Sequence, residues 1–139
     1  TIVHGDYRLD NMILKNNEVI GILDWELSTL GHPIADFSYH CLSWRTQEAF
    51  WDQAKLKELG IPSEKEYMEM YCENSGKDLS KNWEFYMAFN MFKIAGILQG
   101  ILGRVRDGTA ASKHAEERGN MVFPLSEAAW STIEENFLK

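Results

Sequence analysis

The fold is decided by residues 1–26, which read TIVHGDYRLDNMILKNNEVIGILDWE. This stretch contains two short apolar runs that are separated by a polar insert, HGDYRLDN, at residues 4–11. Gly5 and the acids and amides that follow it suit neither the interior of a helix nor that of a strand. The insert is therefore predicted to be a loop, and it carries Asp6 and Asn11 five residues apart.

A β-hairpin is predicted directly after this loop. Residues 12–15 are predicted to form a strand, Asn16-Asn17 the turn, and residues 19–23 the returning strand. A hairpin of this length brings the chain back to its starting point, so Asp24 is expected beside the polar loop. Two carboxylates and one carboxamide are thus predicted to converge at one end of a small sheet.

Such a set of oxygen atoms suits phosphoryl transfer, because metal ions must be held near the phosphates and the attacking hydroxyl needs a positioned acceptor. The pattern resembles the catalytic loop of protein kinases, H-R-D-x-x-x-x-N, which is followed after a hairpin by the metal-binding Asp of D-F-G. Here Gly5 replaces the Arg, and Asp24-Trp25-Glu26 replaces D-F-G. With these changes the sequence resembles the aminoglycoside phosphotransferase and choline kinase-like family of small-molecule kinases, with its HGDxxxxN signature.

The resemblance implies a role for each residue that matches the family pattern, with ATP and Mg²⁺ as cofactors. Asp6 matches the catalytic Asp, which accepts the proton of the substrate hydroxyl. Asn11 matches the Asn that ligates magnesium, and Asp24 matches the Asp that bridges magnesium to the nucleotide phosphates. Arg8 stands where protein kinases often carry a basic residue that contacts the transferred phosphate.

Four further residues are candidates for supporting or substrate-binding roles. His4 is expected to orient the loop through hydrogen bonds, and Asp36 resembles the acid that accepts the backbone N–H groups of the catalytic loop. Glu26 either assists a second metal ion or is a solvated or backbone-bonding acid. Lys93 either holds an anionic part of the substrate or extends to the surface or pairs with a buried acid.

The resemblance implies an α+β, mainly helical fold: the C-terminal lobe of a protein-kinase-like fold with a short catalytic-loop hairpin. A single domain is expected over 1–139, with the catalytic loop and metal-binding hairpin in 1–26 and a helical substrate subdomain in 34–139. The chain has no Gly-rich loop after a strand and no Lys in a V-A-I-K setting. The N-terminal ATP-binding lobe is therefore expected to be missing, and this fragment alone is expected to be inactive.

The likeness is greatest to kinase-like domains that are linked to acyl-CoA dehydrogenase domains. It runs through TIVHGD, DWELSTLG, NWEFYMAF and ILQG, and so covers most of the chain. It implies a linked acyl-CoA dehydrogenase domain as a partner and favours a hydroxylated acyl metabolite as the small-molecule substrate. Aminoglycosides and choline-like amino alcohols remain alternatives within the family.

Length and charge limit the classes of function. A chain of 139 residues is long enough for one domain with a core. Its formal charge of −7 argues against a nucleic acid or an anionic membrane as a partner. Cys41 and Cys72 form no CxxC pair, no signal peptide is evident, and the uncharged runs are too short to span a membrane. A cytoplasmic location is expected.

The remainder of the chain is predicted to be helical. Helices are expected over 34–42, 46–59, 63–74, 82–104 and 126–138. The sequence Ser63-Glu64-Lys65-Glu66 is a capping box that begins the third of these helices. The helix over 82–104 is apolar nearly all round and is therefore expected to be central and mostly buried.

Three functions are compatible with these residues. The favoured one is ATP-dependent phosphoryl transfer to a hydroxyl group of a small molecule. The second is a non-catalytic kinase-like module that binds a ligand or a partner domain. The third is a magnesium-dependent phosphohydrolase, because clustered acids also suit attack by water.

Overall fold

The computed structural model describes residues 1–46, 53–79 and 81–139. These residues group into two compact units, Thr1–Trp83 and Glu84–Lys139. The described part of the chain is mainly helical, as the sequence predicts, and has two small antiparallel sheets, of which only the hairpin is predicted. The division into a catalytic segment at 1–26 and a helical subdomain at 34–139 stays a prediction.

The first unit contains two sheets of two strands each. The strands are β1 (Ile2–Val3), which pairs with β4 (Thr29–Leu30), and β2 (Met12–Lys15), which pairs with β3 (Glu18–Ile22). Asn16 and Asn17 have φ angles of 52° and 64°. Two consecutive left-handed residues form the turn that matches the twist of a tight hairpin. The predicted hairpin is therefore confirmed, and it ends beside the loop that precedes β2.

The helices of the first unit are α1 (Ile34–Cys41), α2 (Gln53–Glu58) and α3 (Glu64–Ser75). The predicted capping box is present at the start of α3, where Ser63 and Glu66 each accept a hydrogen bond from the backbone of the other. The helix ends at Gly76, which has φ 65°. The second predicted helix is observed over α2, and its predicted residues 47–52 lie outside the described part of the chain.

A buried core joins α1, α3 and the chain that follows α3. Its buried apolar members include Val3, Ile34, Phe37, Cys41, Leu42, Leu79 and Trp83. The Phe37 ring stacks on that of Tyr71 with a centroid distance of 4.0 Å. The Glu64 carboxylate accepts hydrogen bonds from Nε and Nη2 of Arg45 and from Trp83 Nε1, at 2.6–2.9 Å. These contacts fix α1, which carries two of the residues discussed below.

The second unit consists of helices. They are α4 (Trp83–Arg106), whose first residue belongs to the first unit, α5 (Ala115–Asn120) and α6 (Val122–Phe137). The last helix begins four residues earlier than predicted, and α5 is not predicted at all. In α6 the buried residues are Val122, Leu125 and Ala129. Trp130, which the sequence pattern also favours for the inner face, is 57% exposed.

The expectation that the long apolar helix is mostly buried is wrong for the residues that the structure describes. Its buried positions form one stripe: Trp83, Met87, Ala88, Asn90, Met91 and Ala95. The aromatic residues Phe85, Phe89 and Phe92 lie outside this stripe and are about half exposed or more. An apolar composition favours burial but does not supply the neighbouring elements that would cover a second face.

The same helix is long and apolar enough, by length and composition, to cross a membrane. Its most apolar window has a mean hydropathy of 1.3, and 28% of that window is buried. Within the described ranges no other helix meets these criteria. Core helices of soluble proteins meet them too, so the expected absence of a membrane partner stays a prediction.

Candidate active site

The loop that follows β1 is anchored to the first turn of α1. The backbone N–H groups of His4 and Gly5 donate to the two carboxylate oxygens of Asp36, the second at 2.8 Å. Gly5 has φ 84°, and a Cβ atom there would lie 2.5 Å from the carbonyl oxygen of Leu27. Only glycine fits this close approach. The hydrogen bonds expected of Asp36 are thus present, while its role in an active site stays a prediction.

His4 joins the loop to the far end of the hairpin. Its ring is 2% exposed. Nε2 donates to the carbonyl oxygen of Leu23 at 2.7 Å, and Nδ1 accepts from the backbone N–H of Asp6 at 3.2 Å. The two ring nitrogens therefore join the loop to the residue that follows the second strand of the hairpin. The hydrogen bonds expected of His4 are thus present, while its role in an active site stays a prediction.

The Asp6 carboxylate has a defined hydrogen-bond partner on each oxygen. Asn11 Nδ2 donates to Asp6 Oδ2 at 3.0 Å and also to the Asp6 backbone carbonyl at 2.9 Å. The hydroxyl of Tyr39 donates to Asp6 Oδ1 at 2.7 Å. The two loop residues that the sequence singles out are therefore in direct contact. Because the Nδ2 atom of the Asn11 amide faces Asp6, its Oδ1 atom points away from Asp6.

Asp24 follows the hairpin directly and lies next to Asn11 along the backbone ladder. The last strand pair is Met12 with Ile22, and beyond it the N–H of Leu23 donates to the carbonyl oxygen of Asn11 at 2.8 Å. Asp24 is exposed and has φ 64° and ψ 53°. A non-glycine residue in this left-handed region is uncommon and marks a position to examine for function.

Arg8 forms an ion pair with Asp10 on the exposed side of the loop, and its side chain is 51% exposed. Burial lowers the pKa of the Arg8 guanidinium, but the charges of Asp10 and Asp6 outweigh this effect and raise the pKa above its usual value. Arg8 therefore carries a permanent positive charge close to the Asp6 carboxylate. Its predicted contact with a transferred phosphate is not tested by this arrangement.

Tyr39 is the residue of this site that the sequence analysis missed. Burial and the hydrogen bond to Asp6 both raise the pKa of Tyr39, to about 12, so its hydroxyl stays protonated at neutral pH. It lies three residues after Asp36 on α1, and this spacing places the two side chains on the same face of the helix. A search for polar residues three or four positions from Asp36 would have found it.

The two candidate substrate residues, Glu26 and Lys93, lie in different compact units of the chain. Glu26 is exposed in a 3-10 turn over Trp25–Leu27, directly after Asp24. Lys93 is half-buried on α4, in the second unit. The roles predicted for both therefore stay predictions.

The donor set fits the magnesium ion that the family resemblance implies. Magnesium prefers oxygen ligands and binds through one or two carboxylates together with substrate phosphates and water. The Asn11 amide oxygen and the exposed Asp24 carboxylate are ligands of this kind. Among residues 1–46, 53–79 and 81–139, no three or more His, Cys, Asp or Glu side chains cluster to form a site made of protein groups alone.

Comparison with known families identifies the class of protein. The sequence profile of the family described as "Phosphotransferase enzyme family" matches residues 1–71, just over half of the chain. The chain belongs to this family. The matched region contains the loop at residues 4–11, the hairpin, α1 and most of α3.

The chain is also similar to curated proteins that are named as acyl-CoA dehydrogenase family members. It is 44% identical over 137 residues to acyl-CoA dehydrogenase family member 10 of Mus musculus. It is 37% identical over 142 residues to family member 11 of Homo sapiens, and 38% identical over 145 residues to the probable acyl-CoA dehydrogenase IBR3 of Arabidopsis thaliana. These alignments cover 94–98% of the chain but only 13–18% of each relative.

These relatives confirm the subgroup likeness that the sequence motifs indicate. The chain corresponds to a small part of much longer proteins, so the activity of such a protein is not assigned by the match itself. No solved structure matches the chain significantly.

Proposed function

We propose that this chain carries the catalytic loop of an ATP-dependent kinase that phosphorylates a hydroxyl group of a small molecule. The observation that supports this most strongly is the Asp6 carboxylate, which is held by Asn11 and Tyr39 beside the end of the hairpin that bears Asp24. The chain that presents this loop belongs to a phosphotransferase family. The proposal includes the C-terminal lobe of a protein-kinase-like fold as its architecture.

Asp6 is the proposed proton acceptor for the substrate hydroxyl. Its carboxylate is fixed on both oxygens, so little reorientation is needed when the substrate binds. A base of this kind contributes only part of the acceleration, since loose phosphoryl-transfer transition states depend mainly on alignment and on charge stabilisation.

Asn11 and Asp24 are the proposed ligands of magnesium. When bound with ATP, magnesium would neutralise charge on the phosphates during transfer. The backbone hydrogen bond between Leu23 and Asn11 would set the spacing of the two ligands, because Asp24 follows Leu23 directly. Arg8 would add positive charge at the transferred group, in competition with its present partner Asp10.

The remaining parts of the enzyme are proposed from the family and from the relatives. An N-terminal lobe of the same protein would hold the adenosine part of ATP, and an acyl-CoA dehydrogenase domain would be linked to it in a cytoplasmic protein. A hydroxylated acyl compound is the proposed acceptor, because the named relatives are acyl-CoA dehydrogenase family members. Lys93 and Glu26 are proposed to bind this acceptor or a second metal ion.

The test is formation of ADP and phosphorylated product by the full-length protein with a panel of hydroxylated metabolites. We expect acceptor-dependent turnover that falls about 10²–10⁴-fold in Asp6→Asn. Asp10→Asn is the matched control, because it makes the same chemical change on the same loop at an exposed side chain. It should retain most of the activity.

Two outcomes would contradict the kinase proposal. ATP hydrolysis that does not depend on any acceptor would identify a phosphohydrolase. Ligand or partner binding with no turnover of ATP would identify a non-catalytic module. Equal losses in Asp6→Asn and Asp10→Asn would also contradict the role given to Asp6.

A further inference from the structure

We infer that Tyr39 is a positioning residue for Asp6: its hydroxyl fixes the orientation in which the Asp6 carboxylate meets the acceptor hydroxyl. This inference rests on the proposed function. It adds a residue that lies outside the HGDxxxxN signature, 33 positions away from Asp6 in the sequence.

The first support is the geometry at the carboxylate itself. The Tyr39 hydroxyl donates a hydrogen bond to Asp6 Oδ1 at 2.7 Å, and Asn11 Nδ2 donates to Asp6 Oδ2 at 3.0 Å. One donor on one oxygen leaves a carboxylate able to rotate about its Cβ–Cγ bond, whereas donors on both oxygens define its plane. A carboxylate oxygen can accept more than one hydrogen bond, so these donors remain compatible with an incoming hydroxyl.

The second support is the helix that carries Tyr39. The same face of α1 bears Asp36, which holds the backbone of His4 and Gly5. A single short helix therefore fixes both the backbone of the loop and the side chain of its central acid. The helix is in turn packed in the core through Ile34, Phe37 and Cys41.

The third support is the state of the hydroxyl. The Tyr39 side chain is half-buried, and burial with the Asp6 hydrogen bond keeps its pKa well above neutrality. A protonated phenol can only donate to an ionised carboxylate, so the direction of this hydrogen bond is fixed. Tyr39 is therefore not the base and acts through Asp6.

The consequence concerns turnover more than binding. Without the Tyr39 hydroxyl, Asp6 loses the donor on Oδ1 and keeps the Asn11 donor on Oδ2, so its carboxylate plane is less firmly fixed. A misdirected base lowers the rate of the chemical step, and misplacement by about 1 Å can cost up to roughly 100-fold. Affinities for ATP and for the acceptor do not depend on this rotation.

The experiment compares Tyr39→Phe with Tyr67→Phe in the full-length protein. Both variants lose one phenolic hydroxyl from a half-buried ring. The Tyr67 ring packs on Phe37 and His40. We expect Tyr39→Phe to lower kcat about 10-fold with both KM values within about 2-fold, and Tyr67→Phe to leave kcat unchanged.

A second measurement separates positioning from a general structural effect. In an Asp6→Asn background, adding Tyr39→Phe should produce no further loss of kcat, because there is no longer a base to position. The melting temperatures of Tyr39→Phe and Tyr67→Phe should be similar. A kcat loss that is unchanged in the Asp6→Asn background would overturn the inference.

Other outcomes also decide between the possibilities. Equal kcat in the two tyrosine variants, when the unsubstituted protein is active, overturns the inference and leaves the proposed function standing. A lower acceptor KM with unchanged kcat in Tyr39→Phe would show that the tyrosine hydroxyl competes with the acceptor, which also overturns it. An unsubstituted protein without acceptor-dependent turnover overturns the proposed function and this inference together.

Discussion

The loop at residues 4–11 and the helix α4 differ in what their sequences specify. The loop is polar, and its polar groups have identified partners in the same unit. Its backbone donates to Asp36, and its Asp6 side chain accepts from Tyr39. The helix is apolar nearly all round, yet Phe92 is 74% exposed while the neighbouring Met91 is 2% exposed. Buried polar groups need hydrogen-bond partners in a defined direction, whereas apolar side chains can be buried against any apolar surface.

This difference explains why the hydrogen bonds expected of Asp36 are present, while the expected burial of α4 is wrong. A buried or half-buried hydrogen-bonding group requires a donor or acceptor at a set distance, so its type and spacing carry information about its surroundings. Hydrophobic attraction has no direction and no fixed partner. The contacts of the loop can therefore be tested by substitutions at single positions. The burial of α4 can be tested by comparing substitutions on its buried and exposed faces.

The largest effect is expected for Gly5→Ala. The new Cβ would combine a φ of 84° with a 2.5 Å approach to the Leu27 carbonyl oxygen, so the free energy of unfolding should fall by about 3 kcal/mol or more. Gly108→Ala is the control, because φ is 70° there and no atom lies within 4 Å of the added Cβ. Thermal unfolding of the two variants measures the difference, and equal losses would mean that the loop is not closely packed.

A slightly smaller effect is expected within α4. Met91→Ala should lower the free energy of unfolding by about 3 kcal/mol, because the side chain is buried. Phe92→Ala removes a larger side chain from an exposed position and should change stability by no more than about 0.5 kcal/mol. Denaturant unfolding of both variants tests this order. A comparable loss in Phe92→Ala would show that this face is covered in solution.

Asp36→Asn should produce an intermediate effect on the loop. The substitution keeps the shape of the side chain but leaves one acceptor oxygen for two backbone N–H groups. We expect a loss of about 2 kcal/mol in the free energy of unfolding and faster hydrogen exchange at the Gly5 amide. Asp10→Asn, whose side chain is 75% exposed, should leave that exchange rate unchanged, and faster exchange in both variants would refute the assignment.

The smallest effect is expected for Gly96→Ala on the exposed side of α4. Glycine is a poor helix former, and an added Cβ would meet no atom within 4 Å. The variant should therefore be more stable by about 0.5–1 kcal/mol, which helix content and melting temperature would report. Destabilisation would instead indicate that this face of the helix is covered in solution.

The sequence was sufficient to predict the features that depend on local patterns. The hairpin follows from Asn16-Asn17 between two apolar runs, and the start of α3 follows from the capping box at Ser63. The Asp36 hydrogen bonds were expected from the family resemblance. In each of these cases a short motif has one favoured conformation.

Features that depend on the packing of distant segments were not predicted. The Tyr39 hydroxyl reaches Asp6 only because α1 is held at a particular angle to the loop. The position of Tyr39 in the sequence of the helix does not predict that angle. Helix α5 has six residues in a polar stretch, too few to give a periodic pattern. The burial of α4 depends on its neighbours, which its own composition does not identify.

The left-handed backbone at Asp24 affects how sequence variants at this position should be interpreted. In a mutational scan scored by protein abundance, Asn and Gly should rank as well tolerated there, because both adopt positive φ at little cost. β-Branched residues should rank worst. A scan scored by turnover should also reject Asn and Gly, since neither supplies a negative charge. The gap between the two rankings would measure the chemical requirement at this position separately from the folding requirement.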